Sequence, residues 1–198
     1  MVKSTSPADE LPDVSVGPLW AVLWAVVLGL AFAGLLALAP GSTFSGSAGV
    51  ARATGLASVL LVLSYIDLRT GLLPDVVTYP LVLAGLLNAI WYPPGLILSI
   101  AGALTGYVIV AALAAYWLRT RGVAGIGLGD AKLLAAGGAW LGVEAIPIIL
   151  LTASTSGLLV AGFGHLLFRQ KLSGAAIPFG PFIALGIWSA FCIWTQAL

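Results

Sequence analysis

Three of the chain's seven acidic residues sit where a carboxylate could do chemistry. Asp67 follows the apolar run Leu60-Leu61-Val62-Leu63-Ser64-Tyr65-Ile66, and Asp130 opens the run Ala131-Lys132-Leu133-Leu134-Ala135-Ala136. Asp75 follows Pro74, shortly after Asp67. The other four are Asp9, Glu10 and Asp13 in a polar N-terminal stretch and Glu144 in a predicted turn, all positions that suit solvation. Ionisable groups at membrane depth are costly and tend to serve function. Two facing carboxylates can share one proton, because a like charge raises one pKa and leaves the other low. The ionised member can then take a proton from water while the protonated member donates to a carbonyl or leaving nitrogen. That chemistry hydrolyses an amide without metal or cofactor. The same pair could relay protons or hold a cation, and a carboxylate at a helix start also favours the helix dipole with no further role, a description Asp130 meets.

Other chemistries are poorly supplied. Cys192 is the only cysteine, which excludes an internal disulfide and a multi-cysteine zinc site, and His165 is the only histidine. A His-rich metal centre, a Ser-His-Asp triad in its usual form and a Cys-His pair are all poorly supplied; no metal and no cofactor are expected, and both residues read as ordinary bundle residues. A net charge of +1 gives no footprint for nucleic acid.

The elements that must position the carboxylates are membrane helices. The 198-residue chain is 61% hydrophobic and 8% charged, where a soluble domain carries about 25% charged residues. A bilayer core of about 30 Å needs roughly 20 apolar residues per helix. Apolar segments lie at 18–39, 48–67, 76–91, 95–118, 130–142, 145–168 and 178–197, separated by turn-forming Pro, Gly and polar residues. The expected fold is an all-α polytopic membrane helix bundle of six or seven transmembrane helices, since helices satisfy their own backbone in lipid. Segment 130–142 is short, and either spans partly or continues into the next segment across Glu144. Residues 1–17 read as a flexible cytoplasmic tail rather than a signal peptide, being net acidic, and 18–198 as one membrane-embedded domain. Of the eight Lys and Arg, only Arg52 falls on the side opposite Lys3, Arg69, Arg119, Arg121, Lys132, Arg169 and Lys171. The positive-inside rule therefore puts the N-terminus and all three carboxylates at the cytoplasmic face. Trp91, Tyr92, Trp140 and Trp194 suit an outer aromatic belt, and Trp20, Tyr116 and Trp117 an inner one.

Two local motifs sharpen this reading. The first runs Asp67-Leu-Arg-Thr-Gly-Leu-Leu-Pro74-Asp75-Val-Val-Thr78-Tyr-Pro80, and the second Gly127-Leu-Gly129-Asp130-Ala-Lys132. Pro74 and Pro80 are expected to end one helix and start the next. Gly127 and Gly129 allow a bend or a close approach just before Asp130. Gly102, Gly106, Gly157 and Gly162 suit close helix packing. Lys132 is expected to snorkel to the headgroups, with tuning of Asp130 as the alternative.

Together with Ile177-Pro178-Phe179-Gly180-Pro181-Phe182, these motifs resemble, in the same order, those of the type IV prepilin peptidases, a family of GxGD intramembrane aspartic peptidases. The resemblance covers about residues 50–197. It implies that Asp67 and Asp130 are the catalytic pair, and that Asp75, Pro74, Thr78, Gly127, Gly129 and Lys132 are motif residues near the substrate. Asp75 either attracts a basic leader or caps the third helix, and Thr78 and Gly180 read as packing. The resemblance further implies an endopeptidase of a bacterial inner (cytoplasmic) membrane that acts at the cytoplasmic face on prepilin or pseudopilin precursors, with the lipid bilayer as its other partner. The paired CxxC region of many bacterial relatives has no counterpart in this sequence, so N-methyltransferase activity is not expected. The rival readings are a small ion- or proton-coupled transporter using the same aspartates, a non-catalytic secretion-system scaffold, and a presenilin-type protease; Ile66 before Asp67 and the Pro74-Asp75 step speak against the last.

Overall fold

The computed structural model describes residues 47–122, 127–168 and 178–194, with the side chains of 47, 163–168 and 194 outside that description. Among the described residues every regular element is helical. Six α-helices follow in order: α1 (Ser47–Thr70), α2 (Asp75–Trp91), α3 (Leu96–Arg121), α4 (Leu128–Leu141), α5 (Ile146–Phe168) and α6 (Gly180–Trp194). A 3₁₀ turn, Val143–Ala145, joins α4 to α5. The expected all-α membrane bundle is the observed one, and α1, α3 and α5 contain stretches long and apolar enough to cross a bilayer. The expected segment 18–39 and the tail 1–17 lie outside the described residues.

The helices stop where backbone chemistry makes them stop. α1 ends against Gly71, whose positive φ of 64° suits the left-handed turn after a helix, with its N–H on the Asp67 carbonyl at 2.8 Å. Pro74 then stands just before α2 in an extended conformation. Pro80 does not mark a helix start as expected. It lies inside α2 and is exposed, at the cost of one hydrogen bond within the helix.

The short fifth segment is α4, and it does not merge into α5. Gly142, at φ 81°, breaks the path before the 3₁₀ turn, and Glu144 is exposed as expected. At 14 residues α4 is about 21 Å long, too short to span the apolar core unaided. It does not need to face lipid. All ten residues from Leu133 to Leu141 and Ala131 are buried, sheathed by α2, α3 and α6. By contrast α3 presents Ile97, Leu104, Val108 and Leu118 outward.

Glycine sets the α3–α4 distance. A methyl group on Gly102 would come within 2.5 Å of the Gly138 carbonyl, and one on Gly106 within 2.8 Å of the Leu134 carbonyl. Gly157 makes ordinary contacts with Phe179 and Phe182 from 3.5 Å, and Gly162 has nothing within 4 Å, so these two are not close-packing glycines. Trp140 is also not a belt residue. It is buried, with Nε1 donating to the Leu81 carbonyl at 3.0 Å and so tying α4 to α2. Trp91, Tyr116 and Trp117 are exposed as belt residues would be, and the side chains of Trp20 and Trp194 lie outside the described residues.

Candidate active site

The Asp67 backbone is fixed by the end of α1, and its side chain by another helix. Its Oδ2 accepts a hydrogen bond from the Gly180 amide at 2.9 Å, and the residue is 4% exposed. Gly180 is the first residue of α6, so this amide belongs to the turn whose N–H groups have no partner within the helix. The positive end of the α6 dipole therefore faces the carboxylate. A side chain on Gly180 has no room, because a Cβ would lie 2.6 Å from the same Oδ2.

Asp130 lies in the first turn of α4, partly buried, with its carboxylate against the Gly127 backbone. It thus sits at the positive end of its own helix. Asp67 is near enough for the two carboxylates to act on each other electrostatically. The pair, distant in sequence, thus comes within electrostatic range at one end of the bundle, each member beside a helix N-terminus.

The remaining motif residues divide. Gly129 makes a close approach, since a Cβ there would come within 2.9 Å of Leu73 Cβ, whereas Gly127 is exposed and has an ordinary φ of −73°. Thr78 is fully buried and donates its hydroxyl to the Pro74 carbonyl at 3.3 Å, a packing role. Lys132 does not reach outward to headgroups. Its Nζ pairs with Asp75 Oδ1 and lies 5.2 Å from the Tyr79 ring centre. Asp75, in the first turn of α2, makes no side-chain cap. Among the described residues no three His, Cys, Asp or Glu side chains converge as a metal site would require. Cys192 is buried, and the His165 side chain lies outside the described residues.

Sequence reasoning missed two features. Gly180 reads as packing in the sequence, yet it holds Asp67; the signal was its place before Pro181, where a helix starts and free amides gather. The Lys132–Asp75 pair joins two motifs that a linear reading treats separately.

The sequence profile described as "Type IV leader peptidase family" matches residues 54–162. A "Prepilin leader peptidase/N-methyltransferase" of Burkholderia pseudomallei is 40% identical over 158 residues, which is 77% of this chain and 50% of that protein. The protein of that name from Aeromonas hydrophila is 40% identical over 83% of this chain and 56% of its own length. The one from Escherichia coli is 44% identical over 129 residues, 64% of this chain and 56% of its own. The chain thus spans about half the length of the curated relatives it matches. No solved structure gives a significant match.

Proposed function

The chain belongs to the type IV leader peptidase family, and from that membership we propose that it is a membrane endopeptidase removing the N-terminal leader of prepilin or pseudopilin precursors, with Asp67 and Asp130 as its catalytic pair. The observation that supports the proposal is that these two carboxylates lie within electrostatic range of one another beside the N-termini of α6 and α4. Two anions side by side in a low-dielectric setting repel, so the working state holds one proton between them. The ionised member removes a proton from water as the oxygen attacks the scissile carbonyl, and the other member donates its proton to the carbonyl oxygen. Collapse of the tetrahedral intermediate breaks the C–N bond, and the leaving nitrogen takes a proton from the pair. The Gly180 amide holds Oδ2 of Asp67, and the proposal gives Oδ1 the contact with the water.

The cleavage face follows from charge. Arg69 and Lys132 lie near the carboxylates in sequence, and Arg119 and Arg121 end α3 on the same side of the alternating bundle, while Arg52 stacks over Tyr92 at the other end, 3.6 Å from its ring centre. The positive-inside rule puts the aspartates at the cytoplasmic side, where a precursor still carries its leader. The reading covers the peptidase activity, and no N-methyltransferase activity is proposed.

The test is cleavage of a co-expressed prepilin, followed by a gel shift, with Asp67→Asn and Asp130→Asn compared with the native chain. Each variant keeps its size and loses proton transfer, so each should fall by roughly 10³-fold or more while remaining in the membrane. The native pH profile should be bell-shaped, lost in acid as both carboxyls protonate and in alkali as both ionise. Cleavage by both Asn variants removes the pair from the mechanism. Ion flux in liposomes without peptide product would favour the transporter reading.

A further inference from the structure

We propose that the Lys132–Asp75 ion pair is a positioning clamp that sets the spacing of the two catalytic carboxylates; this rests on the peptidase reading above. Lys132 follows Asp130 by two residues on the first turns of α4, and Asp75 opens α2, joined to the end of α1 by the short link 71–74. Asp67 stands on the last turn of α1, immediately before that link. The ion pair therefore ties the start of the Asp130 helix to the segment that follows Asp67. A second contact points the same way: Gly129 abuts Leu73 in the link, with no space for a methyl group. Between them, Gly129 and Lys132 bracket Asp130 and grip both ends of the stretch Leu73-Pro74-Asp75.

The geometry of the pair fits a positioning role better than a role in overall stability. The Asp75 side chain is 52% exposed and that of Lys132 19%. Exposed ion pairs contribute little to folding, whereas directional contacts fix geometry. Lys132 is held from two sides, by the Asp75 carboxylate and by the Tyr79 ring one turn further along α2. Elsewhere α1 and α2 touch little, each packing instead on other helices. Besides α6, which packs on both α1 and α4, the position of Asp130 relative to Asp67 depends on the Gly180 hydrogen bond and on this clamp. Lys132 touches neither reacting carboxylate and acts through α4.

The experiment uses the full chain in detergent or lipid. Nitroxide labels on Leu72→Cys and Leu128→Cys, both exposed positions flanking the clamp, report the spacing by pulsed electron resonance in a Cys192→Ala background. In the otherwise native chain the distance distribution should be narrow, and Lys132→Met or Asp75→Asn should broaden it, with Lys132→Arg restoring most of it. On a prepilin substrate, the unlabelled Lys132→Met variant should lose about 10-fold in kcat with KM within about 2-fold, as expected when near-attack geometry rather than binding is lost. The double variant Lys132→Met with Asp75→Asn should be no worse than either single one, because one interaction has been removed twice. A distribution as narrow as the native one, or an unchanged kcat beside a broadened distribution, overturns the proposal. If the native chain cleaves no prepilin, the peptidase reading fails separately, and the label distances still decide whether the clamp sets the spacing.

Discussion

Asp67 and Asp130 belong to two differently built halves of the bundle. Around Asp130, α4 meets α2 and α3 through backbone: Gly102 on Gly138, Gly106 on the Leu134 carbonyl, and Gly85 on Ala139, where a methyl would approach within 2.9 Å of the Ala139 carbonyl carbon. Around Asp67, α1 and α6 meet through large buried side chains, among them Leu56, Leu60, Leu63, Ile183, Ile187 and Trp188. Backbone against backbone leaves no rotamers to adjust, so α4 is a rigid post. Branched side chains repack when one changes size. Asp130 is therefore carried by a rigid post, whose first turns the Lys132–Asp75 pair ties to the start of α2, and Asp67 needs the hydrogen bond from Gly180 to hold its side chain where α1 meets α6 through adaptable side chains.

The largest expected effect breaks that comparison at its rigid side. Gly138→Val drives a branched side chain into the Gly102 backbone. The clash should cost at least 1–3 kcal/mol, roughly the range for overpacking, and appear as lost folded yield and a lowered Tm in detergent. Ile183→Val in the fully buried α1–α6 core should cost about 1 kcal/mol, the ordinary loss for a removed methylene. Equal losses for the two would mean that the halves are built alike.

A smaller effect on stability and a larger one on chemistry are expected of Gly180→Ala. The new methyl occupies space that Asp67 Oδ2 now fills, so the carboxylate must turn away while the core of α6 stays packed. A displacement near 1 Å should cost about 100-fold in kcat, with Tm close to native. Native-like cleavage would show that the Gly180 amide does not hold the working carboxylate.

These halves explain what a reader of the sequence could and could not see. The helices were legible because lipid rewards long apolar runs and because Gly71, Pro74, Gly95 and Gly142 punctuate them. The two aspartates stood out because each lies at the edge of an apolar run within a distinctive motif of Pro or Gly residues. Pro80 misled because proline favours the first turn of a helix, whereas α2 begins at Asp75 and carries Pro80 beyond that turn. Trp140 misled for the matching reason: its place at the end of a short segment suggests an interface, yet α4 is sheathed and the indole finds the Leu81 carbonyl instead. Gly180 and the Lys132–Asp75 pair stayed hidden because both are contacts between helices remote in sequence, set by packing that no local pattern records.

Gly162→Ala sharpens the comparison from its quietest point. Gly162 carries the same small-residue signature as Gly102 and Gly106, but an added methyl there meets nothing within 4 Å. If small residues matter only where backbones touch, the substitution should leave cleavage unchanged and raise stability by up to about 1 kcal/mol, through the higher helix propensity of alanine. The opposite sign is expected for Gly106→Ala, whose methyl would press on the Leu134 carbonyl from 2.8 Å. Thermal unfolding of the two variants side by side separates glycine as a packing surface from glycine as a helix weakener. A destabilised Gly162→Ala would mean that a small residue matters here even where no backbone lies against it, unlike Gly186 of α6, which already abuts the Ile149 carbonyl of α5.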